Sequence, residues 1–188
     1  MAIHRLAARS AVLSPRLCAR LWPADRSANA YALLDAAADP AWVDRLRPLG
    51  QAMARSLLPG GPQAPAAAVG PWLVALPAGH PFTQALVHDP APADALLLLS
   101  SGLPLPPLWR HLRALGRVRG PGGEPLLFRY HDPRVLRAFL ATADPGQLAE
   151  FFGPLDGVFA PAEGVAAFDG WDFAQCRLHR HVFETAPA

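Results

Sequence analysis

Five groups of side chains in this sequence have residue types that can do chemistry. Ser100, Ser101 and Gly102 follow an apolar run, where a nucleophile could stand at a strand end. The G-x-S-x-G elbow that would expose such a serine is missing, because Leu98 and Gly102 flank Ser100. Strand-end serines also satisfy turn backbone groups, and that plainer role suffices. Cys176, His179 and His181 lie close together, and three such ligands could make an open zinc site. No CxxC, no HExxH and no acid at a familiar spacing accompanies them, so a coincidental polar tail explains them better. Asp35, Asp39, Asp132 and Asp144 could act as acid–base groups. Three of them directly precede a proline at a predicted helix start, where a capping carboxylate contributes about 1 kcal/mol. Asp35 falls at a strand end, where turn formation is the simpler role. Gly120–Pro121–Gly122–Gly123 lacks the lysine and the spacing of a phosphate loop and reads as a connection between strands. The fifth group, Arg129, His131 and Arg134, surrounds a strand–helix corner. Arg129 could pair with an acid there, or belong to an interaction surface, where arginine is enriched.

That corner is LLFRYHDPRVLRAFL, Leu126 to Leu140. Leu126, Phe128 and Tyr130 alternate with Leu127, Arg129 and His131, which is the period of a strand. Asp132 stands at the N-cap position and Pro133 at the first helical one. Val135, Leu136, Phe139 and Leu140 share one helical face, with Arg134 and Arg137 opposite.

Other elements follow from similar signals. Tyr31–Asp35, Trp72–Leu76 and Ala95–Ser100 read as buried strands, the last central in its sheet. Helices are predicted after Pro40, Pro81 and Pro104, the first ending near Arg47 because Pro48 removes a helical hydrogen bond. Pro59–Gly70 reads as irregular loop. Arg117–Arg119 and Leu126–His131 form a hairpin candidate. Asp144 and Gln147 make a variant capping box for a helix containing Leu148, Phe151 and Phe152, ended by Gly153–Pro154. Val158–Ala160 and Val165–Phe168 suggest short strands, and Trp171–Phe183 is ambiguous between strand and helix. The alternation predicts a single compact α/β domain, a mixed β-sheet with helices packed on it.

Composition narrows the function. The 188 residues suit one domain with a substantial core. All 17 basic residues are arginine, a pattern that fits a high-GC bacterial coding bias. Residues 1–24 hold four arginines and no acid, whereas residues 25–188 hold thirteen arginines and fifteen acids, a balance of −2. The body therefore has no overall basic excess for gripping nucleic acid. The two cysteines do not make a disulfide framework and fit a reducing cytoplasm. No apolar run is long enough to span a bilayer. Residues 1–24 read as a basic extension outside the core, residues 25–161 as the main α/β domain, and residues 162–188 as a short C-terminal segment.

The corner also resembles the signature of a bacterial family, the type VI secretion effector adaptors or chaperones, in FRYHDPRVL. LWPADRSANAYALLDAAADP (21–40), ARSLLPG (54–60), GPWLVAL (70–76), LLLLSS (96–101), LWRHLRAL (108–115) and QLAEFFGPLDGVFAP (147–161) follow in the family's order. His131 departs from the family's more frequent residues. The resemblance implies a cytoplasmic adaptor without turnover or cofactor. Its partners would be a toxic effector, held by an N-terminal or PAAR-linked segment, and the VgrG spike. Arg129, Tyr130, Asp132 and Arg134 are then motif members and candidates for partner contact, with Asp132 expected to be structural. Two other readings of the residues stay open: a small hydrolase-like enzyme using Ser100, Asp35 and a histidine, and a zinc-containing interaction module built on Cys176, His179 and His181.

Overall fold

The computed structural model describes residues 13–60, 63–88, 93–120 and 122–185. In chain order these form α1 (Pro15–Leu21), β1 (Asn29–Asp35), α2 (Ala41–Leu46), β2 (Ala54–Ser56), β3 (Pro71–Ala75), α3 (Pro81–His88), β4 (Leu96–Ser101) and α4 (Leu105–Leu115). There follow β5 (Arg117–Arg119), β6 (Pro125–Leu127), α5 (Pro133–Thr142), α6 (Pro145–Phe152), β7 (Leu155–Pro161), β8 (Ala167–Ala174) and β9 (Arg177–Glu184). Seven strands make one sheet in the order β2-β3-β1-β4-β7-β8-β9, while β5 and β6 pair only with each other.

Burial on both faces explains why the central strands read as continuous apolar runs. In β1, Ala32 and Leu34 pack with residues of α1, α2 and α3, whereas Tyr31 and Leu33 pack with residues of α4, α5 and α6. In β4, Leu96 and Leu98 face the first layer and Leu97 and Leu99 the second. The α/β class holds, with helices covering one sheet. The strand directions are simpler than a mixed sheet, because every neighbouring pair is antiparallel. β3 and β4 do run the same way, joined through α3, but β1 lies between them. Apolar runs of this kind usually mark parallel strands; here they report two-sided covering alone.

Both ends of the described chain belong to the sheet's cores. Leu13, Leu17 and Leu21 recur four residues apart and are buried, so residues 13–24 are not the non-core extension expected from their arginines. Residues 1–12 lie outside the described residues. Within 162–188, β8 and β9 complete the sheet and bury Phe168, Trp171 and Phe183. Gly170 makes this packing possible: a Cβ there would stand 2.6 Å from the Phe183 ring and 2.7 Å from the Phe159 ring. The ambiguous stretch Trp171–Phe183 holds a tight turn, with Gln175 and Cys176 at φ of 52° and 59°.

Three local expectations change. β6 ends at Leu127; Phe128 adds one more bond to the hairpin, its N–H donating to the Gly116 carbonyl at 3.1 Å, and Arg129–His131 leaves it. The alternation there serves an aromatic cluster, with Phe128 5.7 Å from Tyr130 and 4.9 Å from Phe139 between ring centroids. Asp39 makes a turn ahead of α2, accepting the Ala41 N–H at 3.0 Å, and no side chain caps that helix. Pro65–Val69, expected to be irregular, forms a short 3-10 helix.

Candidate functional site

The FRYHDP corner is built from backbone bonds outward. Asp132 caps α5 by accepting the Arg134 N–H at 3.0 Å, with Pro133 in the first turn. The Arg134 guanidinium returns to the same carboxylate, its Nε at 3.0 Å and a terminal nitrogen at 2.8 Å. These bonds from Arg134 hold the Asp132 carboxyl below its ordinary value. Tyr130 is buried and donates its hydroxyl proton to the Leu112 carbonyl at 2.6 Å, which ties the corner to α4. Burial pushes its phenol well above the ordinary value. Of the four motif candidates, then, Tyr130 is a core residue and Asp132 a cap. Arg134 is exposed, with its fork turned back onto Asp132.

Arg129 faces solvent and also reaches the sheet. One guanidinium nitrogen lies 3.5 Å from Asp35 Oδ2, at the end of β1. His131 Nε2 stands 3.6 Å from the same oxygen, beyond hydrogen-bond length. Asp35 Oδ1 accepts the Ala37 N–H at 3.0 Å, so the turn role expected for this carboxylate is present beside the corner contacts. Burial lowers the His131 imidazole below its ordinary value, opposed by the charge of Asp35 and reinforced by that of Arg129.

A cleft opens beside this corner. Leu57, Leu58 and Pro59 from the chain after β2, Leu112 of α4, and Leu127 and Phe128 give it apolar walls. Arg113, Arg117 and Arg129 also line it, and no acidic residue does. An adjoining groove brings Arg55 and Trp109, again without an acid. Trp109 is fixed by its Nε1–H, which donates to the Ser56 carbonyl at 2.8 Å, and the Arg113 guanidinium lies 5.0 Å from its ring centroid. The β5–β6 hairpin contributes Leu127, which is 75% exposed. Sequence reasoning did not single out this cleft, because its walls come from four separate segments. Its one legible signal is the five arginines against a single acid, Glu124, between residues 110 and 129.

The other candidates stay apart. Ser100 pairs with Ala30 in the sheet, and Asp35 lies five residues further along β1, a separation of about 16 Å. The Ser100–Asp35–histidine arrangement is therefore not assembled. Ser101 Oγ donates to the Pro154 carbonyl at 2.7 Å and accepts the Leu103 N–H at 3.1 Å, which is turn chemistry. Cys176 is exposed at the β8–β9 turn, and His181 Nε2 lies 2.8 Å from Asp172, which also takes Arg20. Among the described residues no group of three His, Cys, Asp or Glu side chains is placed to hold a metal ion. Gly120 and Gly123 lie between the two hairpin strands, the Gly123 N–H donating to the Gly120 carbonyl at 2.9 Å.

Asp169 escaped the sequence reading altogether. It is buried on β8 and bridges Arg137 of α5, at 3.3 Å, and Arg180 of β9, at 2.8 Å. Its one signal is an acid inside the apolar run AFDGWDF.

A family model described as a domain of unknown function, DUF4123, matches residues 30–150. The chain belongs to that family. DUF4123 is associated with an effector-adaptor role in type VI secretion. No curated protein and no solved structure matches the chain. The DUF4123 span contains the corner, the hairpin and the cleft residues. It stops short of β7, β8 and β9, which complete the sheet, and it omits α1. No helix among the described residues is long and apolar enough to cross a membrane.

Proposed function

We propose that this chain is a cytoplasmic adaptor that binds a type VI secretion effector, keeps it soluble and helps load it onto the VgrG spike. The observation that carries the reading is the DUF4123 match over residues 30–150, the span that builds the corner and its cleft. The geometry supports it in kind. An adaptor needs an accessible apolar surface that holds a segment of another chain. The cleft and the exposed hairpin beside it offer such a surface. The carboxylates of the corner are engaged with backbone N–H groups and arginines, as befits a scaffold.

The test is secretion. Deleting this chain should abolish export of the effector encoded beside it while other effectors still leave the cell. Co-expression should raise that effector's solubility and give a complex that survives gel filtration. Normal export of the effector from the deletion strain would overturn the adaptor role.

A further inference from the structure

We propose that the cleft beside the FRYHDP corner is the docking site for an extended partner segment bearing one bulky apolar residue flanked by acidic residues. The identity of the partner as an effector rests on the adaptor reading above; its chemistry rests on the cleft.

Size is the first argument. The cavity volume is about 120 Å³. Sites for small organic ligands run to roughly 300–1,000 Å³, whereas a dry cavity of about 150 Å³ accepts a benzene-sized group. The space therefore suits one leucine or phenylalanine side chain. The walls agree, since Leu57, Leu58, Pro59, Leu112 and Leu127 offer aliphatic surface.

Charge is the second. Arg113, Arg117 and Arg129 surround that apolar floor, Arg55 stands in the next groove, and no acid lines either. This is a local concentration, because residues 25–188 as a whole carry two more acids than arginines. Carboxylates on either side of the anchor would meet Arg113 and Arg117, with Arg129 already shared with Asp35, and such complementarity raises the association rate and fixes register.

Backbone is the third. β5 and β6 are three residues each and have no other strand partner among the described residues. A lone two-stranded hairpin is marginal in water, and a third strand supplies what it lacks. An extended segment laid along it would gain main-chain hydrogen bonds while its anchor enters the cleft. A nucleic acid fits less well. Its bases need open aromatic faces, and Trp109 already has Arg113 near its ring.

The full-length protein can be titrated with a short fluorescent peptide that places phenylalanine between aspartates and glutamates. A second peptide replaces the acids with lysine, and single-stranded oligothymidine is the third probe. The acidic peptide should bind, more weakly as salt rises, and the lysine peptide should not. Leu127→Glu and Arg117→Glu should each weaken binding by about tenfold or more. Arg117→Gln should weaken it less, and Arg177→Glu at the β8–β9 turn should leave it unchanged. Thermal melts of the variants should match the parent, since both sites are exposed. Equal binding of the two peptides, parent-like affinity in Leu127→Glu and Arg117→Glu, or binding of oligothymidine alone would each overturn the proposal. Gel filtration of the variants with the co-expressed neighbouring effector separates the two ideas. An effector complex that persists in Leu127→Glu refutes this site and leaves the adaptor role standing. Binding of the acidic peptide with no retention of effector by the parent refutes the adaptor role and leaves the site.

Discussion

The seven-stranded sheet and the β5–β6 hairpin use the same residues to opposite ends. Leu97, in the central β4, is 0% exposed, and Leu127, at the end of β6, is 75% exposed. Every residue of the hairpin strands is exposed, whereas every residue of β4 is buried. Burial on both faces makes the sheet the source of stability. The hairpin contributes little to that sum, so its leucines are free to meet another chain. Just beyond the hairpin, Arg129 and His131 approach Asp35 at the end of β1.

The sharpest way to break this division is to truncate one leucine in each region. Leu97→Ala should cost about 2–5 kcal/mol, the lost transfer energy plus that of a cavity in a packed core. Leu127→Ala should change stability by no more than about 0.5 kcal/mol. Urea unfolding of both variants is the measurement. A comparable loss in the two would show that the hairpin belongs to the folding core after all.

Capping carboxylates give the next largest effect. Asp132→Ala removes the α5 cap and the Arg134 pair, and should lower stability by about 1–2 kcal/mol. Asp39→Ala should cost less, because Asp39 caps no helix. Asp132 also predicts an acid limb. Its folded carboxyl lies below the ordinary value of 3.8 because of the bonds from Arg134. On acidification the unfolded chain binds the proton first, so this stability is present above that value and is lost as pH falls through the folded one. Thermal melts of Asp132→Asn should lack this component.

Much of the fold was legible because each signal was local. The predicted helices after Pro81, Pro104 and Asp144 have close counterparts in α3, α4 and α6, where proline and capping chemistry act within one turn. The capping box on Asp144 and Gln147 is present as read. What failed depended on distant partners. The alternation of Phe128 and Tyr130 looked like a strand and served an aromatic cluster with Phe139. The Leu13–Leu17–Leu21 stripe was masked by arginines whose side chains need only one face of α1. Antiparallel order was hidden because nothing in β1 or β4 records which strand lies beside it. The site was legible only in part. The corner could be named, but Asp35 meets Arg129 across 94 positions of sequence, and the cleft walls come together only in the fold.

A smaller effect sharpens the sheet side of the comparison at its other edge. Gln175 and Cys176 turn β8 into β9 with positive φ at both positions, a conformation that suits Asn-Gly. The double variant Gln175→Asn, Cys176→Gly should raise stability by about 1 kcal/mol. It should leave partner binding untouched, since the turn is remote from the hairpin in sequence and belongs to the other sheet. A gain in the melting temperature is the expected result, and a loss would mean that the Gln175 or Cys176 side chain supports the turn.

The finest test addresses the seam between the two regions. Burial holds the folded His131 imidazole below its ordinary value of 6.5, despite the opposing charges of Asp35 and Asp132. As pH falls through that ordinary value, the unfolded chain takes up the proton and the folded chain does not. Stability should therefore decline on acidification, and the decline should level off once the folded histidine is protonated too. His131→Gln cannot titrate, so the parent should show the steeper slope when urea midpoints are compared from about pH 8 down to about pH 5. The other histidines contribute equally to both proteins and cancel in the difference. The slope should be modest, because a protonated His131 would find Asp35 Oδ2 only 3.6 Å away. Identical slopes would mean that water reaches the imidazole. The hairpin and its cleft would then hang from the sheet without the buried junction that fixes their position.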